Sequence, residues 1–154
     1  MNIYFYETIR PTIDHELLEL SNYDEKDIKR YCPNLNLITS EHKVKSGYCY
    51  NYALNNYKLC DIDENYDYLK SNYKKIQLHL IKKGDIAVFY DGDINDCYNI
   101  QHYAKIMKTN NTLPGTIIRS KWGRLGIWQG NIEDIPNIYG NKIVFWRKIN
   151  KRKI

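Results

Sequence analysis

Cys49 and His102 are the pair of residues in this chain whose types could make and break an acyl bond. The cysteine lies in Tyr48-Cys49-Tyr50-Asn51-Tyr52-Ala53-Leu54, where Tyr50, Ala53 and Leu54 recur at helical spacing. That spacing predicts a short helix with Cys49 in its first turn, where backbone N–H groups and the helix dipole favour a thiolate. The same N–H groups suit the oxyanion of an acyl-transfer transition state. His102 opens His102-Tyr103-Ala104-Lys105-Ile106-Met107 after a polar loop. An imidazole beside a thiolate acts first as its partner ion and then as the acid for the leaving group. The structural alternative is an inert buried cysteine and a capping histidine.

The elements that must position this pair change character along the chain. Up to residue 45 the sequence is polar with helical stretches, Asp14 to Leu20 and Asp24 to Tyr31, the second stopping before Cys32-Pro33. A further helix is expected from about Glu64 to Tyr73. After Lys83-Gly84-Asp85 the chain reads as strands: Ile86–Tyr90, His102–Met107, Thr116–Ser120, Gly126–Gln129 and Lys142–Trp146. Turn signals at Asp91-Gly92-Asp93, Asn110-Asn111, Pro114-Gly115 and Tyr139-Gly140-Asn141 separate them. Helices first and consecutive strands afterwards imply an α+β domain, with N-terminal helices packed on one antiparallel sheet of about five strands. Residues 1–154 read as a single domain: a helical N-terminal extension over 1–45, a core over 46–147 and a basic tail over 148–154.

Charge and composition narrow the function classes. The chain carries 23 basic and 18 acidic residues, and five of the basic ones (Arg147, Lys148, Lys151, Arg152 and Lys153) fall among the last eight residues. Without them the two signs balance, so the basicity belongs to a solvated tail and nucleic acid gains little support as a partner. A nucleic-acid binder using that tail would show strongly salt-dependent affinity. The 15 tyrosines accompany abundant Asn, Ile and Lys, a bias that A/T-rich codons explain without a base-stacking surface. No apolar run is long enough to span a membrane, and the N-terminus reads as lacking a secretory signal. The expected location is the cytoplasm, or outside the cell by export without a recognisable signal peptide.

Cys32, Cys49, Cys60 and Cys97 are scattered, which fits reduced thiols and not a disulfide framework. Neither they nor His15, His42, His79 and His102 show metal-ligand spacing, so no metal and no cofactor are expected. Asp91, Asp93 and Asp96 form an acidic loop without the final glutamate of a calcium loop, and read as a solvated turn. Lys121 reads as a surface lysine, with an anionic substrate as its functional alternative. Trp122, Trp128 and Trp146 read as core, and Cys60 and Cys97 as structural.

The order of these segments resembles the papain-like cysteine amidases and peptidases of the NlpC and CHAP type. Those families set a cysteine at a helix start, then a Gly-Asp turn with an apolar strand, then a histidine opening the next strand. The corresponding pieces are Tyr48–Leu54, Gly84-Asp85-Ile86-Ala87-Val88-Phe89 and His102–Ile106. Arg119-Ser120-Lys121-Trp122-Gly123, Gly126–Gln129 and Ile135-Pro136-Asn137-Ile138-Tyr139-Gly140 are similar to an uncharacterised bacterial branch with a Ser-Lys-Trp-Gly strand. The resemblance covers roughly residues 46–147 and implies a papain-like, NlpC-like fold. It also implies a Cys49 nucleophile, a His102 base and an oxyanion donor at the Cys49 N–H. The residue orienting the imidazole is left between Gln129, better suited chemically, and Ser120, which hairpin geometry sets roughly opposite His102.

The expected function is a thiol amidase or peptidase, cleaving a peptide or peptidoglycan-stem amide through a Cys49 thioester, possible in a toxin or effector setting. Deamidation and acyl transfer would use the same residues. The competing expectation is a non-catalytic binding module for a protein or anionic partner.

Overall fold

A computed structural model describes residues 5–11, 24–40, 43 and 47–150. The elements follow in the order Glu7–Ile9 (β1), Glu25–Tyr31 (α1), Asn36–Thr39 (β2), Cys49–Leu54 (α2), Ile62–Asn72 (α3) and Tyr73–Ile76 (β3). Strands Ile86–Tyr90 (β4), Ile100–Lys108 (β5), Ile117–Lys121 (β6), Ile127–Asn131 (β7) and Lys142–Lys148 (β8) complete them.

The strands from β4 to β7 are rich in β-branched and aromatic residues and pair antiparallel in chain order. β8 then returns to lie on the other side of β4. A sheet ending there would expose two rows of unpaired N–H and C=O groups, one on β7 and one on β8. Three short strands cover them. β2 pairs with β7, while β1 and β3 share the outer side of β8, one against residues 142–144 and the other against 145–148. Among the described residues the result is one eight-stranded antiparallel sheet, ordered β1-β8-β4-β5-β6-β7-β2 with β3 also on β8.

This corrects the expected fold class. The chain does not build a papain-like, NlpC-like arrangement of N-terminal helices on a five-strand sheet. Among the described residues it builds eight strands with three α-helices, and the first described element is a strand. Strands of three or four residues carry too little alternation to announce themselves, and their role is to close edges. The expected helix over Asp14 to Leu20 lies outside the described residues.

Both faces of the sheet are buried, which is why β4 (Ile-Ala-Val-Phe-Tyr) is apolar throughout. Ala87, Phe89, Ala104, Ile106, Ile118, Ile143 and Phe145 face a layer made by Ile28 of α1 with Trp122, Trp128 and Ile132. Ile86, Val88, Tyr90, Tyr103, Val144 and Trp146 face α2 and α3 through Ala53, Leu54, Tyr66 and Leu69. The helices start where their side chains can satisfy the first N–H groups. Asp24 and Asp27 form a reciprocal capping box on α1, and Asp61 accepts from the Glu64 N–H at 2.8 Å on α3.

Two sequence expectations change with this packing. Arg147 is no solvated tail residue, since its guanidinium donates to both carboxylate oxygens of the buried Asp85 at 3.0 and 2.8 Å. The other tail residues from 151 onward lie outside the described residues. Cys60 is exposed, so it contributes little to the core. Among the described residues no helix is long and apolar enough to cross a membrane.

Candidate functional site

A pocket of about 200 Å³ opens at the start of β5. Tyr48, Cys49 and Tyr50 line it from the start of α2, His102 and Tyr103 from β5, Lys121 from the end of β6, and Gly123 and Tyr139 from the segments after β6 and before β8. The register explains the location. β6 pairs with β5 only as far as Arg119 opposite Lys105, so the first residues of β5 are left to other neighbours.

Cys49 begins a helix of only six residues. Its entry is fixed by Asn51, whose Oδ1 accepts the Tyr48 N–H at 2.8 Å and whose Nδ2 donates to the Asn56 and Leu59 carbonyls. The other end closes on Asn55, in the left-handed conformation at φ 50°. Packing of Ala53 and Leu54 beneath the helix holds Cys49 against the α2 side of the sheet. Tyr50 meets Tyr103 edge-on at 6.2 Å, and the Tyr103 hydroxyl donates to Asn65 of α3.

His102 comes from the opposite face. Neighbours along a strand alternate sides, so while Tyr103 faces α2, His102 faces Phe89, Trp122 and Tyr139. The imidazole stacks on the Tyr139 ring with centroids 4.0 Å apart and planes 23° from parallel. Residue 102 is 1% exposed, and among the described residues its Nε2 has no hydrogen-bond partner. Cys49 and His102 therefore reach one pocket from the two sides of the sheet, without a hydrogen bond to that nitrogen.

The loop carrying Tyr139 is held by a residue that sequence reasoning passed over. Arg10, 1% exposed, follows β1 and donates from Nη1 and Nη2 to the Ile135 and Pro136 carbonyls and from Nε to the Gly140 carbonyl. Its guanidinium also lies 5.2 Å from the centre of the Phe89 ring. Burial lowers its pKa to about 10, yet it remains a cation at neutral pH.

Burial works against the expected thiolate. Dehydration pushes the Cys49 thiol up to about 11, outweighing backbone groups of Tyr103, Tyr50 and Cys49 and the charge of Lys121, all of which favour the thiolate. A six-residue helix supplies too small a dipole to reverse that balance. Burial, aided by the positive charge of Arg10, pulls His102 down to about 3. At neutral pH both groups are uncharged, so the resting site holds a thiol and an imidazole and not an ion pair.

Searches against protein-family models, curated proteins and solved structures find no match to this chain. The site is therefore read from its own chemistry.

Neither candidate for the third residue joins the pocket. Gln129 pairs with Arg119 across β6 and β7, and its Oε1 accepts from the Arg119 Nε at 2.8 Å. Ser120 is buried, and its Oγ accepts the Trp122 indole N–H at 3.0 Å. Continuing the β5–β6 register sets Ser120 against Ala104, two residues past His102. Of the rings around the imidazole, Tyr139 lies nearest, at 4.0 Å against 5.8 Å for Phe89 and 6.5 Å for Trp122. Its sequence signal is the segment Ile135-Pro136-Asn137-Ile138-Tyr139-Gly140. Lys121 is also corrected: it is 1% exposed and donates to the Gly123 carbonyl.

Proposed function

We propose that this chain is a thiol-dependent hydrolase of an amide bond, of the peptide or peptidoglycan-stem kind, acting through Cys49 with His102 as proton acceptor and donor. The observation that carries the reading is the convergence of Cys49 and a buried, unpartnered His102 nitrogen on one pocket. An unpaired buried imidazole nitrogen costs roughly 1–3 kcal/mol, and a role in proton transfer accounts for keeping it.

Because thiol and imidazole are both neutral at rest, the proton moves as the bond forms. The Cys49 sulfur attacks the carbonyl carbon while its proton passes to the imidazole. Collapse of the tetrahedral intermediate breaks the C–N bond, and the imidazolium returns the proton to the leaving amine. Water, deprotonated by the same imidazole, then cleaves the thioester and regenerates the thiol.

The test is acylation by p-nitrophenyl acetate, followed by peptide mass mapping. The exposed Cys60 in the same chain serves as the comparison thiol. The proposal requires an acetyl thioester on Cys49 that turns over, with both acylation and turnover lost in His102→Ala. Acetyl groups on Cys60 but never on Cys49 would overturn it.

A second reading, a binding module without catalysis, is favoured by the uncharged resting pair and by the absence of Gln129 and Ser120 from the pocket. It predicts a Cys49 that takes no acetyl group.

A further inference from the structure

Resting on the reading of Cys49 as nucleophile, we infer that Tyr139 is a further catalytic residue, whose hydroxyl donates a hydrogen bond to the acyl oxygen of a substrate attacked at Cys49. An attacked carbonyl gathers negative charge on oxygen, and a fixed donor aimed at it is commonly the largest catalytic term. The backbone groups of Tyr50 and Cys49 at the start of α2 already favour negative charge at the Cys49 sulfur, so a donor to the acyl oxygen from another wall of the pocket would complement them.

Tyr139 has the properties such a donor needs. It lines the pocket together with Cys49 and His102. Its ring is held on two sides, stacked on His102 at 4.0 Å and meeting Trp122 edge-on at 5.4 Å. Its backbone is held as well: its N–H donates to the Pro136 carbonyl at 3.1 Å, and Arg10 clamps the carbonyls of Pro136 and Gly140 on either side. Among the described residues no hydrogen bond occupies its hydroxyl. Burial raises its pKa well above the ordinary value, and a negative charge on Cys49 would raise it further, so it stays a protonated donor.

The step balances as follows. The sulfur–carbon bond forms, the carbonyl π pair moves onto oxygen, and the thiol proton goes to His102. The Tyr139 O–H donates to that oxygen without transferring its own proton. When the carbonyl re-forms, the bond to the leaving group breaks and the hydrogen bond weakens.

The test compares two reactions of Cys49 in the native protein and in Tyr139→Phe, which keeps the stacked ring. Acylation by p-nitrophenyl acetate builds an oxyanion; alkylation by iodoacetamide occurs at saturated carbon and builds none. Unchanged urea midpoints establish that the variant is folded. Acylation should fall by about 10²-fold, the usual cost of one oxyanion donor, while alkylation changes less than about twofold. Equal losses in both reactions would make Tyr139 a packing residue and overturn the inference. So would acylation that is undiminished in the variant. If wild-type Cys49 is not acylated at all, the hydrolase reading fails first and this inference with it.

Discussion

Acidification should strip stability from this fold through one side chain. His102 titrates at 6.5 when unfolded and at about 3 when folded. Its folded value is the depressed one, so the unfolded chain takes up the proton first. The contribution is complete above 6.5 and is lost as pH falls towards 3. At about pH 4 the unfolded imidazole is charged and the folded one still mostly neutral. The gap of roughly two and a half units, at about 1.36 kcal/mol each, gives a loss of roughly 3 kcal/mol. Arg10, Cys49 and Tyr139 around the ring hold their protonation states across this range.

The comparison is His102→Phe, which keeps a ring against Tyr139 but has nothing to protonate. Urea unfolding of both proteins at about pH 7.5 and about pH 4 separates this term from the carboxylates, which act in both. Wild type should lose roughly 3 kcal/mol more than the variant on acidification. Parallel losses would mean that the native imidazole accepts a proton freely, and the picture of a dry, neutral base would be wrong.

Two other outcomes follow from the site. Alkylation of native Cys49 by iodoacetamide should inflect near 11, against 9.0 for an unshielded thiol, which makes it roughly a hundredfold slower at neutral pH; an inflection below about pH 8 would restore the resting ion pair. Arg10→Met should destabilise the protein by at least about 3 kcal/mol, since it leaves the Ile135, Pro136 and Gly140 carbonyls without their buried donor. A urea midpoint within about 0.5 kcal/mol of wild type would show that the loop is held by other means.

What the sequence disclosed divides along physical lines. Ile86–Tyr90 and Lys142–Trp146 advertise themselves as β-branched and aromatic runs between turn residues; the first forms β4, and the second forms β8, which runs two residues further to Lys148. Cys49–Leu54 carries its helical spacing plainly and forms α2. The short strands did not show. Tyr73-Lys74-Lys75-Ile76 follows α3 without an intervening turn, so nothing in its own residues announces the change from helix to strand.

For the site, Cys49 and His102 stood out by type and spacing. Arg10 could not, because its acceptors lie 122 to 130 residues away and are backbone atoms of any sequence. The raised Cys49 titration is not legible in the sequence, because a helix start is visible there whereas dehydration is a property of the assembled surroundings.

The place of β8 has a consequence for how the protein is made. It follows the other described strands in the chain, yet β1, β3 and β4 all pair with it. Glu7 finds its partner Val144 only after all the strands between them have been made. Until then the nascent polypeptide carries β1, β3 and one side of β4 with unpaired backbone, exposed to chaperones and to other copies of itself. Such distant pairings also slow folding, because the long loop must close before any contact rewards it. The arrival of β8 is thus a late, concerted closing event, and truncation within Lys142–Lys148 should yield an insoluble chain and not a smaller folded one.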